Sequence, residues 1–379
     1  MKRSLSSAIA MLASAAIFAA AQTAYAAPPA PAKQGETRVI NDTMGRKVTI
    51  QKDVGKIIAI PWPWSSFVFA LDGKADRIST MSTTALASYK NSMFQRLAPG
   101  LANSKTNYID DQNKDGGVFG TLNAEEIAKI NPSMVLIYER EKNTLLPVLE
   151  SVKIPTVVIQ YGGIPEMQKG LLLLGDILGE HAKKNANTIV NWHVNTEKLI
   201  KDRLKNLPEN KKPKILLFYN GKILRPSARL YDNKMIETAG GKNVAASKAN
   251  LSGAEQVSFE QVLAWDPDII LVGNFADHKP DDIYANKLAD RNWQQLRAVK
   301  NKRVYKVPMG IYRWDAPNTE AHLFQLWLAK MMHPERFADI SLEKYTRDFY
   351  KTLFNHNLTD AEMAMIYHDA LNAKSVKIK

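Results

Sequence analysis

Two stretches of this chain share one build: Asn123-Ala124-Glu125-Glu126-Ile127-Ala128-Lys129-Ile130-Asn131-Pro132 and, 135 residues later, Ser258-Phe259-Glu260-Gln261-Val262-Leu263-Ala264-Trp265-Asp266-Pro267. Each begins with a polar residue that can cap a helix and carries Glu or Gln three residues on, which is the capping-box pattern. Each ends at a proline, where a helix cannot continue, and then enters an apolar run, at Met134 and at Ile269. The repeat predicts two lobes of similar build.

Short apolar runs typical of buried strands recur on both sides of these units and alternate with helical patterns. They lie at residues 56–60, 134–138, 156–160, 214–219, 269–272 and 303–307, and a β-hairpin pattern precedes them at residues 37–50. This alternation predicts the α/β class, with two α/β lobes whose sheets are mainly parallel. We expect an N-terminal lobe at residues 37–165, a linking helical region at 166–210 and a C-terminal lobe at 211–379.

The linking region contains one long helical pattern, from about Lys183 to Leu207. Its apolar residues lie near one face of a helix: Ile189, Trp192, Leu199, Ile200, Leu204 and Leu207. At 1.5 Å per residue such a helix spans about 38 Å, which is enough to join two domains. A single long interdomain helix predicts a stiff hinge, whereas two or three strand crossovers would permit wide closure.

The N-terminus has the form of an export signal. Lys2 and Arg3 precede an apolar stretch over residues 9–21, and Ala24-Tyr25-Ala26 gives a small-x-small cleavage pattern. We therefore expect residues 1–26 to be a signal peptide that is cleaved after Ala26, and residues 27–36, rich in Pro and Ala, to be a flexible leader. An uncleaved anchor is the alternative, but the apolar stretch is short for a membrane span. We expect a mature chain that is not membrane-embedded.

The formal net charge of +13 favours anionic partners. The Lys and Arg residues are scattered rather than clustered, so we expect no nucleic acid and instead a small anion or a negatively charged surface. A role in solubility alone is the other reading of the charge. The chain has no cysteine, so it offers neither a disulfide nor an acceptor for a lipid anchor.

The chain resembles a known family, the periplasmic substrate-binding proteins of ABC importers for iron-siderophores, haem and cobalamin. The residues that carry the resemblance are Asn41–Thr49, the two helix-Pro-strand units, Ala239-Gly240-Gly241-Lys242-Asn243-Val244, and Leu326–Lys330 running to His333-Pro334. The resemblance implies a periplasmic, monomeric receptor with two lobes and a rigid helix, which holds its ligand in a shallow cleft between the lobes.

Aromatic and cationic side chains follow the predicted strands, and the carboxyl ends of strands are where α/β folds place their sites. The candidate ligand-binding residues are Trp62, Trp64, Tyr138, Arg140 and Tyr161 in the first lobe, and Tyr219, Arg225, Asn274, Tyr312, Arg313 and Trp314 in the second. Guanidinium groups match carboxylate, catecholate or hydroxamate oxygens, and aromatic rings cover the apolar body of a chelate. The alternatives are core packing for the tryptophans and tyrosines, and a solvated role for Arg140.

The sequence gives little support to metal ligation by the protein or to catalysis. His322 and His333 are too far apart to form a local ligand pair. The stretch from Asp111 to Leu122 opens like a calcium loop but lacks the glutamate that position twelve requires. No Gly-x-Ser-x-Gly, phosphate-binding loop or cysteine nucleophile occurs. We expect a receptor that is not an enzyme and has no cofactor; an exported hydrolase or chelate-processing enzyme is the alternative class.

Among ligands, the combination of arginines and aromatic rings favours a small anionic metal chelate, with ferric-siderophore first. Haem comes second, because a tyrosine could ligate its iron, and cobalamin or an oxyanion such as molybdate follow. The resemblance also implies a partner, the dimeric permease of an ABC importer, which one glutamate per lobe contacts. Glu125 and Glu260 occupy the matching place in the two helix-Pro-strand units.

Overall fold

The computed structural model describes residues 35–109, 121–246, 255–276, 278–289 and 291–378. The predicted signal peptide with its cleavage point, residues 27–34 of the predicted leader, and most of the calcium-like stretch lie outside the described residues. The strands are β1 Thr37–Asn41, β2 Lys47–Gln51, β3 Ile57–Ala59, β4 Ile78–Thr80, β5 Met134–Tyr138, β6 Thr156–Ile159, β7 Lys214–Asn220, β8 Arg225–Pro226, β9 Lys242–Asn243, β10 Ile269–Val272 and β11 Val304–Lys306.

The helices alternate with these strands for most of the chain and end it as a group. They are α1 Trp64–Asp72, α2 Thr83–Tyr89, α3 Met93–Leu97, α4 Ala124–Ile130, α5 Lys142–Ser151, α6 Ile164–Leu178, α7 Glu180–Leu204, α8 Leu230–Thr238, α9 Phe259–Trp265, α10 Pro280–Tyr284, α11 Arg297–Lys300, α12 Ala321–Met332, α13 Leu342–Phe354 and α14 Asp360–Ile366. In the described part of the chain, no helix combines the length and apolar character needed to cross a membrane.

The first lobe is built on a parallel sheet with strand order β4-β3-β5-β6. Every residue of β3, β5 and β6 is buried, as expected for strands covered by helices on both faces. The β1–β2 hairpin is attached to this sheet through its turn. The Asp42 carboxylate accepts hydrogen bonds from the backbone N–H groups of Met44, Arg46 and Val158, so the turn is fixed to β6.

The second lobe repeats this plan on a sheet with the order β11-β10-β7, all parallel. At the far edge of β7, the short β8 pairs antiparallel with its end and β9 pairs parallel with its beginning. The two-lobe α/β prediction with mainly parallel sheets is therefore confirmed. In both lobes the carboxyl ends of the central strands lie on one edge of the sheet.

The two repeated units form equivalent short helices, α4 and α9. The side chains of Asn123 and Ser258 cap them by accepting from backbone N–H groups at 3.1 Å in each case. The reciprocal half of the expected capping box does not form at Glu126, because Asn107 and Lys129 donate to its carboxylate instead. Both helices end at a residue in the left-handed region, which turns the chain into the proline and the next strand.

One long helix contacts both lobes and joins them, as the sequence predicts. The long helix predicted from Lys183 to Leu207 is α7, at Glu180–Leu204, and α6 packs along it. The α7 helix contacts both lobes: the Asn185 side-chain amide donates to the Leu71 carbonyl oxygen at 3.0 Å, and a ring nitrogen of His193 lies 3.2 Å from the Thr319 carbonyl oxygen.

Two buried histidines lie where α7 meets α12. His193 and His322 are each 2 % exposed, and their ring centroids are 5.6 Å apart. Burial lowers the pKa of His193 to about 4. Burial, and then the neighbouring His193, lower the pKa of His322 well below its ordinary value. Both rings are therefore neutral in the folded protein near neutral pH.

We predict that His322→Phe makes the stability less dependent on pH. Below about pH 6.5 the unfolded chain binds a proton at this histidine that the folded protein does not bind, so stability is lost as the pH falls. Between about pH 6.5 and about pH 5, the wild type should lose about 2 kcal/mol more than the variant. Urea unfolding followed by circular dichroism measures the difference. The exposed His181→Phe serves as control, and equal pH dependence of wild type and His322→Phe contradicts the prediction.

Candidate functional site

The candidate site lies between the lobes, where the carboxyl ends of both parallel sheets carry aromatic and cationic side chains. The chain places Trp62 after β3, Arg140 after β5 and Tyr161 after β6 in the first lobe. In the second lobe Tyr219 lies at the end of β7, Phe275 follows β10 and Arg313 follows β11. The placement of sites at strand ends thus brings these side chains to one region.

The first wall of the cleft consists of two tyrosine rings and an arginine. Tyr138 and Tyr161 pack edge to face with centroids 5.1 Å apart, and the Arg140 guanidinium carbon lies 4.5 Å from the Tyr161 centroid. Arg140 Nε donates to the buried Glu141 carboxylate at 2.6 Å. Burial raises the pKa of Glu141, and Arg140 opposes this shift. Arg140 is exposed at the cleft.

Trp64 supports this wall from behind and does not face the cleft. It is 1 % exposed, and its indole N–H donates to the Tyr138 hydroxyl at 3.0 Å. The sequence analysis predicted that Trp64 contacts the ligand directly. The structure differs, because Trp64 begins α1 and points into the first lobe. Its contact orients Tyr138 instead.

The two lobes approach each other through Trp62 and Phe275. These rings pack edge to face, with centroids 6.3 Å apart. Trp62 is half-buried, whereas Phe275 is 42 % exposed. The cleft is therefore narrow at this point, and its apolar lining comes from both lobes.

The second wall holds a buried arginine whose position is fixed by a carboxylate. Arg313 is 2 % exposed, and its Nε donates to Asp315 at 2.9 Å. Burial opposes the charge of Arg313, but Asp315 together with the Tyr219 and Tyr312 side chains and Asp232 more than offsets this, so the pKa of Arg313 is above its usual range. The guanidinium carbon lies 4.0 Å from the Phe275 centroid and 5.0 Å from the Tyr219 centroid.

The guanidinium of Arg313 is only partly saturated. Its Nη2 donates to the Asp315 carbonyl oxygen at 3.1 Å. Within the described residues, no acceptor lies within hydrogen-bond distance of Nη1. Asn274, also predicted as a ligand residue, is occupied with the same carboxylate: its backbone N–H and side-chain amide both donate to Asp315.

Arg229 is a further arginine at the cleft. It is exposed, and its guanidinium carbon lies 4.5 Å from the Tyr219 centroid, on the ring that Arg313 also contacts. Among the described residues, no carboxylate lies within ion-pair distance of Arg229. Tyr161 of the first lobe is close enough to influence its charge, so Arg229 lies near the first wall as well as the second.

Sequence reasoning named Arg225 and did not name Arg229. Arg225 is exposed on β8, and no hydrogen bond, ion pair or ring contact joins its side chain to the described part of the protein. Both arginines come after β7 in the chain and lie four residues apart. The position of Arg229 directly before α8 is the available signal, because sites of α/β folds lie at the carboxyl ends of strands, where the following helices begin.

The remaining predicted residues lie beneath the cleft surface. Tyr312 is 4 % exposed and its hydroxyl interacts with Ser88 of the first lobe, while burial raises its pKa. Trp314 is fully buried. The segment that carries both is held by Glu320, whose carboxylate accepts from the Ile311 N–H at 2.8 Å and from the Tyr350 hydroxyl at 2.7 Å. Burial raises the pKa of Glu320 to about 7.

Within the described ranges, no group of three or more His, Asp or Glu side chains lies close enough together to hold a metal ion. The tyrosines of the site are poor candidates for phenolate ligands as well. Burial raises the pKa of Tyr138 and of Tyr219, and the Tyr219 hydroxyl already donates to the Asp315 carbonyl oxygen at 2.6 Å.

Comparison with known proteins agrees with this architecture. Residues 91–309 match the model of a family described as periplasmic binding protein. The molybdate-binding protein MolA of Haemophilus influenzae is 27 % identical over 338 residues, which cover 84 % of this chain and 91 % of MolA. The high-affinity heme uptake system protein IsdE of Staphylococcus aureus is 26 % identical over 217 residues, which cover 54 % of this chain and 71 % of IsdE.

Solved structures give the same result over a greater length. A periplasmic solute binding protein from Veillonella parvula has a TM-score of 0.81 and 36 % identity, and the match covers 89 % of this chain and 99 % of that one. MolA with bound molybdate has a TM-score of 0.70 and 25 % identity, covering 85 % of this chain and 99 % of MolA.

We predict that Gly273→Ala disturbs the second wall. A Cβ atom at this position would lie 2.7 Å from Asp315 Oδ2 and 2.9 Å from the Tyr219 ring, so one of them must move. Overpacking of this kind costs about 1–3 kcal/mol. Gly100→Ala is the matched control, since nothing lies within 4 Å of its Cβ position. Chemical unfolding compares the two variants, and equal losses of stability would show that the close packing at Gly273 has no energetic weight.

Proposed function

We propose, because this chain belongs to the periplasmic binding protein family, that it is an exported receptor that captures a small anion between its lobes and delivers it to an ABC importer. Its role is binding and transfer, not catalysis. We further propose that it reaches the periplasm through the signal peptide that ends at Ala26, and that it acts as a monomer.

The observation that carries the proposal is the arrangement of three guanidinium groups around the cleft. Arg140 comes from the first lobe, and Arg229 and Arg313 come from the second. Arg140 and Arg313 each have a neighbouring carboxylate, but no carboxylate among the described residues is paired with Arg229. An anion in the cleft would supply that charge and would also accept from Arg313 Nη1.

The size of the cleft favours a compact anion. Trp62 and Phe275 approach to 6.3 Å between centroids, so a large planar ligand would have to separate the lobes. A tetrahedral oxyanion needs only hydrogen-bond donors, which the arginines provide. MolA, a relative along 84 % of this chain, is named for molybdate binding. We therefore propose an oxyanion of the molybdate class as the first candidate ligand.

A ferric-siderophore is the second candidate, and a specific feature of the cleft favours it. Tyr161 and Phe275 are 39 % and 42 % exposed, so part of each ring remains open to the organic part of a chelate. Haem and cobalamin are less well supported. Both are larger, and the raised pKa values of Tyr138, Tyr219 and Tyr312 oppose the phenolate form that would ligate haem iron.

We predict that Arg313→Ala and Arg229→Ala each weaken binding of molybdate by roughly 2–3 kcal/mol, the scale of a lost charge-assisted contact. Arg225→Ala is the control and should bind as the wild type does, because its side chain contacts no described residue. Quenching of tryptophan fluorescence, read from Trp62 in the cleft, measures the affinities.

Parallel titrations with haemin and with a ferric catecholate complex identify the ligand class. Preference for the ferric catecholate over molybdate would reverse the order of the two candidates. Unchanged affinity for every ligand in both Arg313→Ala and Arg229→Ala would show that the cleft is not the binding site.

We also propose that Glu125 and Glu260 contact the permease. Both are exposed, and each occupies the second position inside its helix, α4 or α9. A two-lobed receptor that meets a two-fold transporter needs one anchor per lobe at equivalent places. The alternative is that each glutamate only complements the helix terminus, which contributes less than about 1 kcal/mol.

We predict that the double variant Glu125→Ala/Glu260→Ala binds its ligand with unchanged affinity but no longer stimulates the ATPase of the cognate transporter in liposomes. The proposed permease contact lies outside the cleft, so stimulation of the ATPase is lost and ligand binding is kept. Glu180→Ala/Glu343→Ala is the matched control, because these glutamates also lie exposed in the first turns of helices. Normal stimulation by the first double variant would show that the permease is contacted elsewhere.

A further inference from the structure

A buried carboxylate lies directly behind the second wall of the cleft. Asp232, in the first turn of α8, is 1 % exposed. Its Oδ2 accepts from the Ser227 hydroxyl and lies 3.1 Å from the Tyr219 hydroxyl oxygen. Its Oδ1 has no hydrogen-bond partner among the described residues. The Tyr219 side chain thus contacts Asp232 through its hydroxyl, and its ring is contacted by Arg229 and Arg313.

The number of hydrogens in this cluster does not match the number of contacts. Tyr219 has one hydroxyl hydrogen, and the Asp315 carbonyl oxygen at 2.6 Å, which can only accept, takes it. Ser227 has one, which it donates to Asp232. The Tyr219 hydroxyl oxygen and Asp232 Oδ2 then lie 3.1 Å apart with no hydrogen between them. A proton on Asp232 would complete it.

We propose that Asp232 takes up a proton from solvent when an anion enters the cleft, so that anion capture is coupled to protonation of this carboxylate. The inference rests on the proposed function, in which Arg229 and Arg313 hold the anion. It adds a property that the arginines alone do not give, because a site made only of guanidiniums has the same charge throughout the physiological pH range.

The charged and titratable groups that face Asp232 come from three segments. They are Arg229 and Tyr231 at the start of α8, Tyr219 on β7, and Arg313 and Asp315 after β11. Burial raises the pKa of Asp232 to about 6, the two arginines lower it, and Asp315 raises it. An anion bound by the arginines cancels part of their field. The carboxylate then binds its proton more tightly.

Linkage makes this coupling reciprocal, so protonation of Asp232 must strengthen anion binding. Well above the pKa of the liganded state, neither state holds the proton and affinity does not change with pH. As the pH falls toward about 6, the liganded state is protonated first and affinity rises by up to about tenfold per pH unit. Below about pH 6 both states hold the proton, and this contribution becomes constant.

The first experiment needs no ligand. The carboxyl carbon of Asp232 is followed by NMR across pH in protein labelled with ¹³C-aspartate, and Asp232→Asn identifies its signal. We expect a midpoint near pH 6, compared with about pH 4 for an exposed aspartate. Arg229→Gln removes one guanidinium, as an anion would neutralise it, and should raise the midpoint. Arg225→Gln, the matched control, should leave it unchanged. A midpoint near that of an exposed aspartate, or one that Arg229→Gln does not raise, overturns the proposal.

The second experiment measures the proton directly. Molybdate is titrated calorimetrically near pH 6.5 in two buffers of different ionisation enthalpy. The wild type should take up protons on binding, and Asp232→Asn, whose folding is checked by circular dichroism, should bind without uptake. Equal uptake by both proteins contradicts the coupling. If molybdate neither gives heat nor quenches tryptophan fluorescence, the proposed ligand class fails, and the shift of the Asp232 midpoint in Arg229→Gln alone decides whether Asp232 responds to charge at the cleft.

Discussion

The buried carboxylate of Asp315 is the constraint on which the second wall of the cleft depends. It accepts from Arg313 and from both nitrogens of Asn274, and Gly273 leaves the space that it fills. Arg313 follows β11 and Asn274 follows β10, so one carboxylate ties together the ends of two neighbouring strands. Without it, Arg313 would be a buried charge without compensation, which costs several kcal/mol. The cation is therefore held in place before any ligand arrives, and a ligand does not have to order it.

Both lobes pair an arginine at the cleft with a buried carboxylate, and they differ in one respect. In the first lobe, Arg140 lies over a tyrosine ring and pairs with the buried Glu141. In the second, Arg313 lies over Tyr219 and pairs with Asp315. Only the second lobe adds Arg229, which lacks a paired carboxylate among the described residues. The internal repeat thus accounts for the frame of the cleft, and the additional arginine supports the proposed preference for an anion.

The two lobes and the strand ends that form the cleft could be predicted from the sequence, because the signals that set them are local. The capping residues Asn123 and Ser258, the prolines that follow and the apolar runs at β5 and β10 set helix and strand ends, and parallel strands bring those ends together. The sequence was not sufficient to choose between Arg225 and Arg229. That choice depends on the short antiparallel β8, which pairs with β7 only in the folded lobe. The sequence also could not show which way Trp64 points. Its direction depends on where α1 begins, and in the structure its indole contacts Tyr138 instead of the cleft.

The contacts between the lobes also limit how far the cleft can open. The α7 helix is bonded to Leu71 in the first lobe and lies against Thr319 in the second. Phe69 and Phe354 stack across the lobes at 5.4 Å, and the Met93 N–H donates to the Gly310 carbonyl oxygen at 3.0 Å. Opening the cleft widely would break these buried contacts together. The separation of Trp62 and Phe275 is therefore a property of the fold. Under the proposed function, the size and charge of a ligand must fit the space that the arginines already surround.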